Sequence, residues 1–117
     1  MATRIANVTF DCDNAKSLAQ FWAEALGYSL LDGANEQWAM LSGPTDTGPK
    51  LLFLKVPESK TAKNRVHLDL ANPDLEGEVA RLEGLGARRV RFLDEWDVQW
   101  WTMLDPEENE FCVAKET

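Results

Sequence analysis

Histidine occurs once in this chain and cysteine twice, and there are 12 lysines and arginines against 20 aspartates and glutamates. Each scarcity excludes something. With a net charge of −8, the shortage of cations argues against nucleic acid as a partner, because binding phosphates needs clustered Lys and Arg. Cys12 and Cys112 lie near opposite ends of the chain, with no CxxC pair and no Cys/His cluster. A structural zinc site is therefore not expected, and both cysteines read as buried thiols of a reduced compartment. No apolar run approaches the roughly 20 residues that span a bilayer. No basic-then-apolar segment opens the chain, so a cytoplasmic location and no membrane partner are expected. There is no glycine-rich phosphate loop and no dinucleotide fingerprint, and Ser-His-Asp chemistry has no supporting context.

What is present is a soluble-type composition over 117 residues, enough for one domain with one sizeable core. The acidic balance favours a cationic ligand over an anionic one. Five tryptophans (Trp22, Trp38, Trp96, Trp100 and Trp101) serve the core or line a small-molecule pocket.

The only histidine, His67, sits in the stretch Arg65–Leu70, RVHLDL, where polar and apolar residues alternate strictly. That period predicts a half-buried strand with Arg65, His67 and Asp69 on one face and Val66, Leu68 and Leu70 on the core. An earlier strand, Ile5–Cys12, places Asn7, Thr9 and Asp11 on one face. Asp13 or Asn14 can cap a helix from Ala15 to Leu26, whose Leu18, Phe21, Trp22, Ala25 and Leu26 form one apolar stripe. Gly27 ends it. Strands are predicted at Tyr28–Leu31, Gln37–Leu41 and Lys50–Val56, with a Gly/Pro-containing loop at 42–49.

After a polar linker, 57–64, the pattern starts again. Asn72 or Asp74 can cap a second helix carrying Leu75, Val79, Leu82 and Leu85, and Gly86 stops it. Strands follow at Arg89–Leu93, Trp96–Leu104 and Glu110–Ala114. Asn7 to Asn14 and His67 to Asp74 span the same distance. WAML (Trp38–Leu41) answers WTML (Trp101–Leu104), Leu51–Leu54 answers Glu110–Val113, and Asp11 and Asp69 are read as equivalent. The chain is thus expected to be α+β: two βαβββ modules, about 1–56 and 65–117, in a single domain over 1–117, enclosing a cleft.

The segments DC at the end of the first strand, LAQFWAEALGY, KNRVHLDL, EVARLEGLGAR and DPEENEFCV resemble the vicinal oxygen chelate superfamily of glyoxalases, bleomycin-resistance proteins and dioxygenases, and most of all its small bacterial glyoxalase-like domains. The resemblance implies paired βαβββ modules around a cleft, often in homodimers. It also implies a divalent metal held by four positions, one on the first and one on the last strand of each module. Those positions map to Asn7, Leu52 or Phe53, His67 and Cys112, of which only His67 is a usual ligand. Glu110, two residues from Cys112, is the other weak metal candidate.

The expectation is therefore a small-molecule-binding protein, with an aromatic or cationic ligand in a Trp-lined cleft and no full metal site. Its candidate ligand-binding residues are Asn7, Asp11, Trp38, His67, Asp69, Trp101 and Cys112. His67 is the candidate catalytic residue, since imidazole titrates near neutrality. The alternatives are a lyase, isomerase or dioxygenase using a divalent metal through His67 and Glu110, or an interaction module without a small ligand.

Overall fold

The computed structural model describes residues 2–45 and 47–116; Asp46, within the loop expected at 42–49, lies outside the described residues. The chain divides into two units, Met1–Ser59 and Lys60–Thr117. The first contains β1 (Asn7–Cys12), α1 (Ala15–Leu26), β2 (Ser29–Leu30), β3 (Trp38–Ser42) and β4 (Lys50–Lys55). The second contains β5 (Asp69–Asn72), α2 (Leu75–Leu85), β6 (Arg88–Glu95), β7 (Val98–Leu104) and β8 (Glu110–Lys115). Each unit is a four-stranded sheet, ordered β1-β4-β3-β2 in one and β5-β8-β7-β6 in the other. In both, the first strand runs parallel to the last and the remaining pairs are antiparallel. Two βαβββ modules of α+β type are thus present. No helix among the described residues is long and apolar enough to cross a membrane.

In the first unit, α1 has the predicted bounds. Asn14 caps it, accepting a hydrogen bond from Ser17 N at 3.1 Å. Gly27 ends it at φ 69°, a conformation that costs glycine little. Leu18, Phe21, Trp22 and Ala25 are buried, as are Ala39, Leu41, Leu51 and Phe53 on alternate positions of β3 and β4. Phe10 links the layers, 4.9 Å from Phe53 and 5.6 Å from Trp22 between ring centroids.

The second unit repeats the plan with a thinner helix. Of the two candidate caps it is Asp74 that caps α2, accepting from Gly77 N at 3.1 Å, while Asn72 accepts from Asp74 N at 2.8 Å. Leu75, Val79 and Leu82 are buried on this helix, and Met103, Phe111 and Val113 on the sheet. The β7–β8 turn is organised by Asp105, which is 3% exposed and accepts from Glu107 N at 2.9 Å, Asn109 N at 3.0 Å and Asn109 Nδ2 at 3.0 Å. Glu108 there adopts a left-handed φ of 67°, its N–H bonded to the Asp105 carbonyl at 2.9 Å.

Three expected strands start two or more residues late, and the first of them, expected from Ile5, begins at Asn7. The strand predicted at Arg65–Leu70 begins only at Asp69, and Val66, expected in the core, is 78% exposed. The cause is local. Glu110 holds Lys60 Nζ at 3.1 Å and Asn64 N at 3.0 Å, and Asn109 Oδ1 accepts from Asn64 Nδ2 at 3.2 Å. These bonds tie the second half of the expected linker to the start of β8, and a backbone bond from Cys112 N to Leu68 O at 3.0 Å joins β8 to the residue just before β5. The strand expected from Trp96 starts at Val98, because Trp96 and Asp97 form the hairpin turn, with φ 54° and 59°. The edge strand β6 carries a register shift between Arg89 and Arg91 that leaves Val90 bulged.

Candidate functional site

Side chains alternate between sheet faces, so the register decides which residues share the face opposite α2. On β8, Phe111 and Val113 are buried on the helix side, which puts Glu110, Cys112 and Ala114 on the other. Cys112 pairs with Asp69 on one side and Thr102 on the other; Ala114 pairs with Ala71 and Trp100. The helix-free face of the second unit therefore carries Asp69, Cys112 and Thr102 in one row and Ala71, Ala114 and Trp100 in the next.

His67, two residues before Asp69, completes a cluster at the end of β5. Its Nδ1 lies 2.8 Å from Asp69 Oδ1, with the two side chains 37% and 66% exposed. A carboxylate only accepts, so this bond fixes the Nδ1–H tautomer of the neutral ring and leaves Nε2 as its acceptor. Ligating atoms of His67, Asp69 and Cys112 all lie within 4.8 Å of one another. Thr102 Oγ1 sits 3.7 Å from Cys112 Sγ. Burial pushes the Cys112 thiol pKa up, and the neighbouring Asp69 carboxylate adds to the rise against the Thr102 contact and Lys63. The thiol is thus protonated near neutrality and is a weak nucleophile.

Glu110 does not join this cluster. Burial raises its pKa, but the Asn64 N–H, its own backbone N–H and the Lys60 ammonium outweigh that and hold the carboxyl below its ordinary value. It is committed to bracing the segment that leads to His67.

The register also corrects three pairings of the repeat. Trp38 pairs with Leu54 and Trp100 with Ala114, in corresponding places on β4 and β8, so Trp38 answers Trp100 and Ala39 answers Trp101. Likewise Lys50 answers Glu110, so Leu52 answers Cys112. Asp69 then corresponds to Thr9, and Asp11 to Ala71.

Trp101 consequently faces α2 rather than the helix-free face. Its Nε1 donates to Glu76 Oε2 at 3.1 Å, the Arg89 guanidinium lies 4.9 Å from its ring centroid, and Phe92 packs 5.5 Å away. Arg89 in turn bonds Glu76 at 3.1 Å and Glu83 at 2.9 Å. Asn7, Asp11 and Trp38 belong to the first unit, where β1 and β3 place them on the face away from the buried Ala39 and Leu41. Thr102 and Trp100 were absent from the sequence-derived set. Counting back from Cys112 along the β7–β8 pairing is the signal that identifies them.

A sequence profile described as a glyoxalase-like domain matches residues 7–114. No curated protein is matched by sequence. Among solved structures, a glyoxalase/bleomycin resistance protein/dioxygenase family enzyme from Burkholderia phytofirmans is similar with a TM-score of 0.78 at 13% identity, over 96% of this chain and 98% of that one. A fosfomycin resistance protein from Listeria monocytogenes, solved with Mn(II) and a dihydroxypropylphosphonic acid, has a TM-score of 0.77 at 10% identity, over 100% and 93%. Lactoylglutathione lyase from Agrobacterium tumefaciens has a TM-score of 0.67 at 13% identity, over 97% and 94%.

Proposed function

Because the chain belongs to the glyoxalase-like domain family, we propose that it is a small-molecule-binding protein of the glyoxalase/bleomycin-resistance type, with its ligand seat on the helix-free face of the second unit. The observation that carries this reading is the convergence of His67, Asp69 and Cys112, beside Thr102, on one face of the sheet. The cluster offers a carboxylate, an imidazole acceptor and two weak donors without a strong nucleophile. Asp69 supplies negative charge at a 66% exposed position, which suits a ligand bearing a positive group.

Proflavine, a planar cation, is expected to quench tryptophan fluorescence saturably with a Kd on the order of 10 μM. The anionic 9-anthracenecarboxylate should bind much more weakly. Asp69→Asn should weaken proflavine about tenfold, and added salt should weaken it too. Equal binding of the two dyes, or no saturable quenching, would count against a cation seat.

The four-position metal arrangement implied by the superfamily does not fit these residues. Asn7 and Leu52 stand at two of the positions, and a leucine cannot coordinate. A second reading, a metal-dependent lyase, isomerase or dioxygenase, is favoured by one observation: the three-donor group within 4.8 Å. Imidazole, carboxylate and thiolate together suit zinc better than the harder cations, and would supply a Lewis acid. The protein is expected to purify with well under one equivalent of zinc, nickel, manganese or iron. Elemental analysis finding about one tightly held ion per chain, absent from a His67→Ala variant, would transfer the argument to the enzyme reading.

A further inference from the structure

The β6–β7 hairpin closes through two residues, Trp96 and Asp97, between the paired Glu95 and Val98. Both have positive φ, 54° and 59°, which makes the turn type I′. That turn favours Asn-Gly, and a bulky aromatic residue in the left-handed region is strained. Nothing in the core requires the tryptophan, since Trp96 is 84% exposed. Instead its ring lies parallel to that of Trp100, at 8° between planes and 6.2 Å between centroids. Trp100 occupies the helix-free face, in the row adjoining Asp69, Cys112 and Thr102. In its own row Leu93 stands on the β6 side, and on the β8 side the small residues Ala114 and Ala71 leave the sheet surface low next to the indole.

We infer that Trp96 and Trp100 form an aromatic platform that takes the planar, positively charged part of a small-molecule ligand, at the hairpin end of the face that carries His67 and Asp69. The inference rests on the reading of that face as the ligand seat and adds its recognition element. Rows on one strand face are two residues apart, about 7 Å. Trp100 and Asp69 lie one row apart along the strands and two strands, about 10 Å, apart across the sheet, so a ligand stacked on the indoles meets the Asp69 carboxylate through a hydrogen-bonding substituent roughly 12 Å from the Trp100 position, with His67 beyond it. The charge preference comes from the tip, where Glu95 and Asp97 flank Trp96, whereas Asp94, paired with Gln99, lies on the α2 side. Arg91, paired with Thr102, is an opposing charge on this face and lies one row further from the tip than Trp100, and Lys63 is a second one beside Cys112 in that same row. An indole face attracts a cation and stacks on any planar ring, so a planar cation satisfies both features and a planar anion only one.

Strain retained at an exposed position separates this role from bracing. The test is the double variant Trp96→Asn with Asp97→Gly, which installs the residues the turn prefers and removes the outer ring. Proflavine is titrated by calorimetry into wild type and variant, with 9-anthracenecarboxylate as the anionic control, and thermal unfolding of both proteins is recorded. The platform predicts at least tenfold weaker proflavine binding in the variant, together with a Tm raised by about 4 °C. Unchanged proflavine affinity would overturn the platform and leave the ligand seat standing. A lower Tm would identify the pair as a structural brace and also overturn it. Chemical-shift mapping on the wild type distinguishes the remaining results: shifts at the His67 ring without shifts at the Trp96 and Trp100 indoles sink the platform alone, and the absence of binding sinks both readings.

Discussion

Replacing Asp105 with alanine is expected to cost about 3 kcal/mol of stability and to loosen the ligand seat at the same time. The carboxylate is 3% exposed and satisfies the backbone N–H groups of Glu107 and Asn109 and the Asn109 side-chain amide. Alanine removes these charge-assisted bonds and leaves the buried Asn109 donors without their acceptor, which costs more than the net worth of the bonds themselves. The same turn holds Glu108 at positive φ, a conformation unfavourable to a non-glycine residue.

The second effect follows along the chain. Asn109 and Glu110 anchor Asn64, and Glu110 anchors Lys60. The segment they anchor leads into His67. Urea unfolding reads the stability loss, and the His67–Asp69 pairing is read from the His67 imidazole NMR signals under native conditions. A loss below about 1 kcal/mol, or an unchanged His67 environment in a destabilised variant, would show that the turn is not the anchor of that segment.

Trp22→Ala is expected to destabilise the first unit by about 4 kcal/mol. The indole is fully buried on α1, in a group with Phe10 at 5.6 Å and Phe21 at 5.2 Å, the latter edge-on. Truncation removes the apolar transfer term and also opens a cavity, because Phe53 and Leu18 are themselves fully buried and have little freedom to collapse inward. Trp22→Phe keeps most of the volume and should cost less than half as much. Denaturant unfolding followed by circular dichroism provides the comparison, and near-equal losses for the two substitutions would contradict the cavity argument.

The fold was legible where local chemistry and tertiary packing agree. The bounds of α1 follow from Asn14, a continuous apolar stripe and Gly27, and each of these does in the structure what its residue type favours. The duplicated βαβββ order was readable from the same punctuation. The candidate site was legible in part. Alternation placed His67 and Asp69 on one side of their segment, and Cys112 was singled out through its place on the last strand.

The tryptophans were misaligned because Trp100 and Trp101 stand side by side. Matching WAML to WTML by letter slips the alignment by one residue, and one residue reverses the face of every side chain in a strand. Pairing with β8 sets the true phase, and that is a property of hydrogen bonds between strands far apart in sequence. Trp96 escaped for another reason. Its turn contains no glycine, proline or asparagine, and the one turn-favouring residue, Asp97, stands between Trp96 and Val98, strand-forming residue types that mask it.

The bulge at Val90 has a bearing on how copies of this chain behave in company. β6 is eight residues long and ends its sheet, which makes it a potential template for strands from other molecules. It also exposes Val90 and Phe92, the apolar residues such a template would exploit. The bulge interrupts its straight run, and Arg88 and Arg91 stand at exposed positions on either side of the irregularity. An in-register parallel stack of such strands would set each arginine against its own image. The outer margin of the second unit is thus defended against amyloid-like stacking by geometry and by charge.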